Sequence, residues 1–114
     1  MASNDAIVYI HADRMGVGAE QLGRVLMTSL LESLVASPVK PGAIVFVNSG
    51  VFLTTEGSEV LDVLERLEGA GVEILSCGTC LDYYRRKDNL RVGKVGNMAG
   101  MVEKLMNAGK VISP

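Results

Sequence analysis

The sequence predicts an α/β domain in which helices cover a parallel sheet on both sides. Short apolar runs, typical of strands buried on both faces, alternate with segments whose apolar residues recur at helical spacing. Parallel strands need crossover connections, which helices supply. The chain has 114 residues, 48% of them apolar, which is enough for one compact core. We therefore predict one three-layer α/β/α domain over residues 1–114, with a parallel sheet of about five strands.

The first strand and the first helix follow from simple patterns. Residues 7–10 form a continuous apolar run, and a glycine-containing stretch after Met15 breaks it. Over residues 20–36 the apolar side chains recur at helical spacing, from Leu22 onward. Ser37-Pro38 then ends the helix, because the residue before a proline disfavours helical backbone.

The same alternation continues through the rest of the chain. Apolar runs predict the further strands 43–47, 72–75, 90–95 and 111–112. Helical spacing predicts the further helices 60–67, 81–87 and 98–106, the second helix of the chain ending at the glycines 69 and 71. On the last helix we expect the methionines to pack in the core or against another subunit.

Charge and composition exclude several classes of partner. The net charge is −2 and the sequence pI is about 5.3, so no overall positive field favours nucleic acid or an anionic membrane. No apolar run approaches the roughly 20 residues that span a bilayer. Charged residues near the N-terminus, such as Asp13 and Arg14, do not fit a signal peptide. We expect a cytoplasmic protein that binds neither nucleic acid nor membrane.

The two cysteines, Cys77 and Cys80, lie where a strand pattern changes directly into a helix pattern. Thr79 and Asp82 have capping-box spacing, which predicts Thr79 as the N-cap and Cys80 as the first helical residue. A helix N-terminus favours a thiolate, so we expect lowered pKa values for both thiols. In a reducing compartment such a pair indicates redox, sulfur-transfer or metal chemistry, and the alternative is two small buried hydrophobic residues.

Loops that follow parallel strands meet at one edge of the sheet, and ligands bind there at the switch point of strand order. Three such loops follow the first three strands. The residues that we expect to bind a ligand or anion on these loops are Gly16, Gly18, Asn48, Ser49, Gly50, Gly78 and Thr79. A flexible turn at the first loop and an ordinary Asn-Ser-Gly turn at the second are the alternatives.

Three motifs together resemble the DsrE/TusD-like (DsrE/DsrF-like) family of sulfur-carrier domains. The first is Met15-Gly16-x-Gly18, and the second is Phe46-Val47-Asn48-Ser49-Gly50 with Leu53-Thr54-Thr55-Glu56-Gly57-Ser58. The third runs from Leu75 to Tyr84 and includes Cys77-Gly78-Thr79-Cys80. Within the family the chain is most similar to the C-terminal domain of YedF-type, sulfurtransferase-like selenium-metabolism proteins.

The resemblance implies a DsrEFH-like α/β/α fold, a cysteine that carries sulfur as a persulfide, and assembly into oligomers. It matches the carrier cysteine to Cys77 and gives Cys80 to the Cys-Gly-Thr-Cys pattern of the YedF-like subgroup. It points to a relay between sulfur-donor and acceptor proteins, and we expect no cofactor and no resident metal. YedF-like proteins usually carry a TusA-like domain with a Cys-Pro-x-Pro motif, which this sequence lacks, so a TusA-like protein is expected to act in trans.

The sequence leads to one main hypothesis and three alternatives. In the main hypothesis Cys77 accepts a sulfane sulfur, or its selenium analogue, and Cys80 resolves or shares it. The first alternative is a non-catalytic, oligomeric assembly or binding module. The second is a metal site that adds His11 to the two thiolates, although a closed zinc site needs four ligands. The third is a flavodoxin-like domain, for which the chain lacks a hydroxyl-rich phosphate loop and has few aromatic residues.

Overall fold

The structure, a computed structural model, describes residues 5–114 as alternating strands and helices. The strands are β1 (Ala6–Ile10), β2 (Ala43–Phe46), β3 (Glu73–Cys77), β4 (Lys94–Gly96) and β5 (Lys110–Ile112). The helices are α1 (Glu20–Ala36), α2 (Leu61–Gly69), α3 (Gly78–Tyr83) and α4 (Met98–Asn107). Two short 3-10 helices cover Asn48–Leu53, called here the 48–53 turn, and Lys87–Asn89. None of the helices within residues 5–114 combines the length and apolar character needed to cross a bilayer.

All five strands are parallel and form one sheet in the order β4-β3-β2-β1-β5. This arrangement confirms the predicted α/β fold with a five-stranded parallel sheet. From β1 to β4 the strands follow one another across the sheet, and β5 then returns to the far side of β1. The switch point of strand order therefore lies between β1 and β5, whereas the cysteines follow β3.

Two apolar clusters lie on opposite faces of the sheet, because successive strand residues point to opposite faces. On one face α1 contributes Met27 and Leu31, and α2 contributes Leu64 and Leu67. On the other face Met101 of α4 packs on the sheet. The strand residues of the first cluster are Val8, Ile10, Ile44, Phe46 and Ile74. Those of the second are Ile7, Ala43, Val45, Leu75 and Cys77. The sheet is thus covered on both sides, as a parallel sheet requires.

Two helices carry apolar side chains on a second, outward face. In α1 the buried residues are Gly23, Met27 and Leu31, whereas several larger apolar side chains are exposed. The exposed residues, called here the α1 stripe, are Leu22, Val25 and Leu26. In α4 the exposed α4 stripe consists of Met98, Val102 and Met106, which are four residues apart and so share one side of the helix.

Both edges of the sheet are short and begin with a lysine. The edge strands β4 and β5 have three residues each, and their first residues are Lys94 and Lys110. Lys94 lies 3.7 Å from Glu73 on the neighbouring strand, and Lys104 of α4 lies 2.9 Å from the same carboxylate. The Lys104 contact is the main cause that lowers the pKa of Glu73 below its ordinary value.

The strand predicted over residues 90–95 is the element that differs most from the structure. Regular pairing begins only at Lys94, and Leu90 forms an isolated antiparallel bridge to Thr55. Gly93 has a φ of +81°, a left-handed conformation that interrupts an extended strand. A Cβ atom on Gly93 would also lie 2.4 Å from the carbonyl oxygen of Ile74. Gly93 therefore allows β4 to approach β3 closely.

We expect Gly93→Ala to lower the free energy of unfolding by roughly 2–4 kcal/mol, because it combines a disfavoured φ with a backbone clash. Gly69→Ala is the matched control, since a Cβ at this position in α2 meets no atom within 4 Å. The control should leave stability unchanged or raise it by up to about 1 kcal/mol. Urea denaturation measures both variants, and equal midpoints would refute the role given to Gly93.

Candidate functional site

Cys77 is the last residue of β3 and also the N-cap of α3. Its Sγ accepts a hydrogen bond from the backbone N–H of Cys80 at 3.4 Å. The side chain belongs to the apolar cluster beneath α4, and the residue is only 2% exposed. The Cys77 thiol is therefore held inside the fold, with one sulfur lone pair engaged by the helix that follows it.

The predicted capping box at Thr79 and Asp82 is wrong. The helix begins at Gly78, and Cys77 caps it with its sulfur, two residues before the predicted cap. Cys77 has extended backbone and so occupies the N-cap geometry that Thr79 would otherwise need. Asp82 instead pairs with Lys87 at 3.1 Å. Because α3 has only six residues, its dipole is a weak basis for the predicted thiolate stabilisation.

The end of α3 is fixed by a residue in the left-handed region. Arg85 has a φ of +58°. Its N–H donates to the carbonyl of Asp82, and the N–H of Arg86 donates to that of Leu81 at 2.7 Å. These two bonds form a Schellman motif, which stops the helix after one and a half turns. The helix predicted over residues 81–87 is thus shorter than expected and begins earlier.

Cys80 is joined to the 48–53 turn. The backbone N–H of Asn48 donates to the Cys80 Sγ at 3.1 Å. Asn48 has a φ of +52°, in the left-handed region, where asparagine is one of the few tolerated residues. Its side-chain Oδ1 accepts a hydrogen bond from the Tyr84 hydroxyl at 2.7 Å. Tyr84 follows Cys80 by one helical turn. One short segment therefore provides both the thiol and the hydroxyl that binds Asn48.

An open cleft of about 380 Å³ lies beside Cys80. Its lining residues are Asn48, Thr79, Cys80, Tyr83 and Tyr84. Tyr83 is 81% exposed and contacts Tyr84 edge-on, with the two ring centroids 5.2 Å apart. On its other side Tyr84 packs against Phe52, with 4.6 Å between ring centroids. Cys80 thus lines an accessible, partly aromatic cleft.

Burial raises the pKa of the Cys80 thiol above its ordinary value. The Asn48 N–H acts in the opposite direction, since a hydrogen bond to the thiolate stabilises the charged form, but desolvation is the larger effect. The lowered pKa predicted for Cys80 is therefore wrong. The sequence argument counted the helix terminus and omitted the apolar surroundings of the sulfur.

The 48–53 turn is attached to the sheet by close packing and by buried hydroxyls. A Cβ on Gly50 would lie 2.6 Å from the carbonyl oxygen of Ile10, so only glycine fits there. At the end of the turn, Thr54 and Ser76 are both fully buried, and their hydroxyl oxygens are 2.8 Å apart. These contacts fix the turn against β1 and β3 and so set the position of Asn48.

The remaining predicted ligand residues do not line the cleft. Ser49 accepts a hydrogen bond from the N–H of Asp13 at 3.2 Å, which joins the first two loops. Gly78 faces Val95 of β4, where a Cβ would lie 3.1 Å from its side chain. Gly16 and Gly18 are exposed, with positive φ values. Of the predicted residues, Asn48 and Thr79 join Cys80 at the cleft.

Tyr83 and Tyr84 were not among the predicted site residues. One sequence signal could have identified Tyr84. It lies four residues after Cys80, a spacing that places both residues on one side of a helix. The alternative metal site also lacks a cluster: within residues 5–114 no three His, Cys, Asp or Glu side chains are grouped to hold an ion. His11 instead lies beside the Tyr9 ring, at 6.1 Å between centroids.

No family model and no curated protein matches this chain. Two solved structures share its architecture. The YchN protein from Escherichia coli has a TM-score of 0.69 and 14% identity, and MTH1491 from Methanobacterium thermoautotrophicum, described as a protein of unknown function, has 0.72 and 21%. Each match covers 97% of this chain and 99% of the other. At these identities the similarity shows the fold alone, which is the DsrE-like α/β/α fold.

Proposed function

We propose that the Cys77–Cys80 pair carries sulfane sulfur as a persulfide and relays it from a donor protein to an acceptor protein. The observation that carries this proposal is the pairing of two free thiols at the carboxyl end of β3, one of them open to a cleft. The Asn48 N–H at 3.1 Å from the Cys80 sulfur supplies a hydrogen-bond donor for an anionic sulfur. The DsrE-like fold and the Cys-Gly-Thr-Cys motif support the same role.

The relay needs no external oxidant. A cysteine thiolate attacks the outer sulfur of the donor's persulfide, a new S–S bond forms, and the donor leaves as a thiolate that takes up a proton. An acceptor thiolate then removes the outer sulfur by the same exchange. A persulfide is more acidic than a thiol, so a site that disfavours the bare thiolate still holds the cargo as an anion.

The partners follow from this chemistry. The donor must present a persulfide on an exposed segment, because the Cys80 cleft is open but small. A TusA-like protein, acting in the cytoplasm, fits the role of partner that the sequence resemblance implies. We also propose that the chain assembles with copies of itself through its exposed apolar stripes, as the sequence resemblance implies.

Incubation with a persulfide donor should add about 32 Da, one sulfur atom, to the intact protein, and a reductant should remove it. The double variant Cys77→Ser/Cys80→Ser should show no such gain. Intact-protein mass spectrometry measures both forms. An equal gain on the double variant would mean nonspecific sulfur and would contradict the proposal.

The reactivity of Cys80 should rise at a higher pH in the folded protein than in the unfolded one, because burial raises its pKa. The measurement is the rate of alkylation against pH for Cys77→Ser, in buffer and in concentrated urea. By linkage, the stability contributed by this thiol is complete below the unfolded pKa and is lost as the pH rises through the folded pKa. A folded midpoint at or below the unfolded one would contradict this environment for Cys80.

The α4 stripe favours the second candidate function, that of an assembly module, and a relay domain can also use it for assembly. Met106 is 79% exposed, and Val102 and Met98 extend the same apolar surface. If copies associate through it, Val102→Glu should shift the wild-type oligomer toward monomer, because an unpaired charge would be buried. Light scattering after gel filtration measures the mass, with Glu65→Lys on the exposed side of α2 as control. A monomeric wild-type protein would refute this use of the stripe.

A further inference from the structure

We propose that Cys80 is the first acceptor of sulfur, that Asn48 and Tyr84 position its sulfur atom, and that Cys77 acts second. This assignment rests on the proposed relay function. It reverses the order implied by the sequence resemblance, in which Cys77 is the carrier. Asn48 is the group that touches the reacting sulfur, and Tyr84 acts through Asn48.

Accessibility separates the two thiols. A donor's persulfide must approach the attacking sulfur along the line of the bond that breaks, so the attacking thiol needs open space on one side. Cys77 is 2% exposed and lies in the cluster that includes Leu75 and Met101. Cys80 lines the open cleft and is half-buried. A protein-borne donor can therefore reach Cys80 without any change in the packing beneath α4.

Hydrogen bonding separates them as well. The Cys77 sulfur accepts the Cys80 N–H at 3.4 Å, a bond that belongs to the start of α3. The Cys80 sulfur accepts the Asn48 N–H at 3.1 Å, and this donor comes from a different segment, 32 residues away in sequence. The left-handed backbone of Asn48 accompanies this orientation of its N–H, with a φ of +52°. A distant segment of the chain thus supplies a hydrogen-bond donor to one of the two thiols. This is the arrangement expected of a positioned reactive group.

Tyr84 holds Asn48, and with it the N–H that donates to the Cys80 sulfur, in place. Its hydroxyl donates to Asn48 Oδ1 at 2.7 Å, and its ring is supported by Phe52 at 4.6 Å between centroids. Tyr83, the adjacent residue, contacts the Tyr84 ring, and its hydroxyl makes no hydrogen bond within residues 5–114. Of the two tyrosines, only Tyr84 donates a hydrogen bond to Asn48.

The steps balance as follows. The Cys80 thiolate attacks the outer sulfur of the donor persulfide, giving Cys80–S–SH, and the donor thiolate leaves with the bonding electron pair and takes a proton. Attack by Cys77 on the Cys80 sulfur then forms the Cys77–Cys80 disulfide and releases sulfide, so that two thiols are oxidised and the carried sulfur is reduced. Attack by an acceptor thiol on the outer sulfur instead returns Cys80 to its starting state.

The order of the thiols is tested by the rate of persulfide loading on single variants. Cys77→Ser should load within about twofold of the wild-type rate, and Cys80→Ser should load at least about tenfold more slowly, since its remaining thiol, Cys77, is buried away from the sulfur donor. Time-resolved mass spectrometry follows the added sulfur. On the wild type, trapping after short times and tandem fragmentation should place the first adduct on Cys80, and this second readout does not depend on a variant folding.

The positioning role is tested with Tyr84→Phe against Tyr83→Phe, both in the Cys77→Ser background. Loss of one ordinary hydrogen bond should slow alkylation of Cys80 near neutral pH by about fivefold in Tyr84→Phe. The pH midpoint of the reaction should also move upward, because the Asn48 N–H stabilises the thiolate less well. Tyr83→Phe removes a hydroxyl that does not contact Asn48, so both effects should be much smaller in it than in Tyr84→Phe. Asn48→Gly retains the left-handed backbone but removes Oδ1, so adding it to Tyr84→Phe should cause little further change.

The possible outcomes test the proposed function, the order of the thiols and the positioning role separately. No sulfur adduct on any form overturns the proposed function, and the order of the thiols with it. Adducts that form equally fast on Cys80→Ser and on the wild type overturn only the order. Equal pH midpoints for the two tyrosine variants overturn only the positioning role.

Discussion

The site depends on one constraint, that an all-parallel sheet must be buried on both faces. Two helices cover one face, and α4 covers the other at Met101. Since side chains alternate along β3, Ser76 points to one side and Cys77 to the other. Cys77 therefore enters the apolar layer beneath α4, whereas Cys80, one turn into the next helix, emerges at the rim. The structure of the sheet thus leaves the Cys77 thiol buried and the Cys80 thiol more accessible.

The 48–53 turn, packed against the sheet, sets the position of the N–H that donates to the Cys80 sulfur. The turn follows β2, which pairs directly with β3, so the turn that carries Asn48 and the first turn of α3 that carries Cys80 are neighbours by topology. Gly50 brings the turn against the Ile10 carbonyl, and the Thr54 and Ser76 hydroxyls satisfy each other in the interior. Buried polar groups with partners are costly to disturb, because separating them leaves each one unsatisfied. The position of the Asn48 N–H is thus set by packing some distance from the cleft.

Much of the fold could be predicted from the sequence, and less of the site. Apolar runs and helical spacing are local signals, and they located β1, α1, β2 and α4 to within a residue or two. The start of α3 was placed too late, because a sulfur cap at Cys77 competes with the more familiar capping by Thr79. The pKa of Cys80 depends on burial, and the role of Gly50 depends on a carbonyl 40 residues earlier in the sequence. Contacts between distant segments of this kind leave no periodic pattern.

The two short edge strands have a consequence for how copies of the chain can meet. A long, flat edge offers unpaired backbone groups to any other strand, whereas three-residue edges that begin with Lys94 and Lys110 offer little template for pairing. Fibre growth by addition of strands is therefore disfavoured, even though apolar side chains remain exposed on α1 and α4. Any association of copies would therefore use helical surfaces, where side-chain fit decides which partners bind.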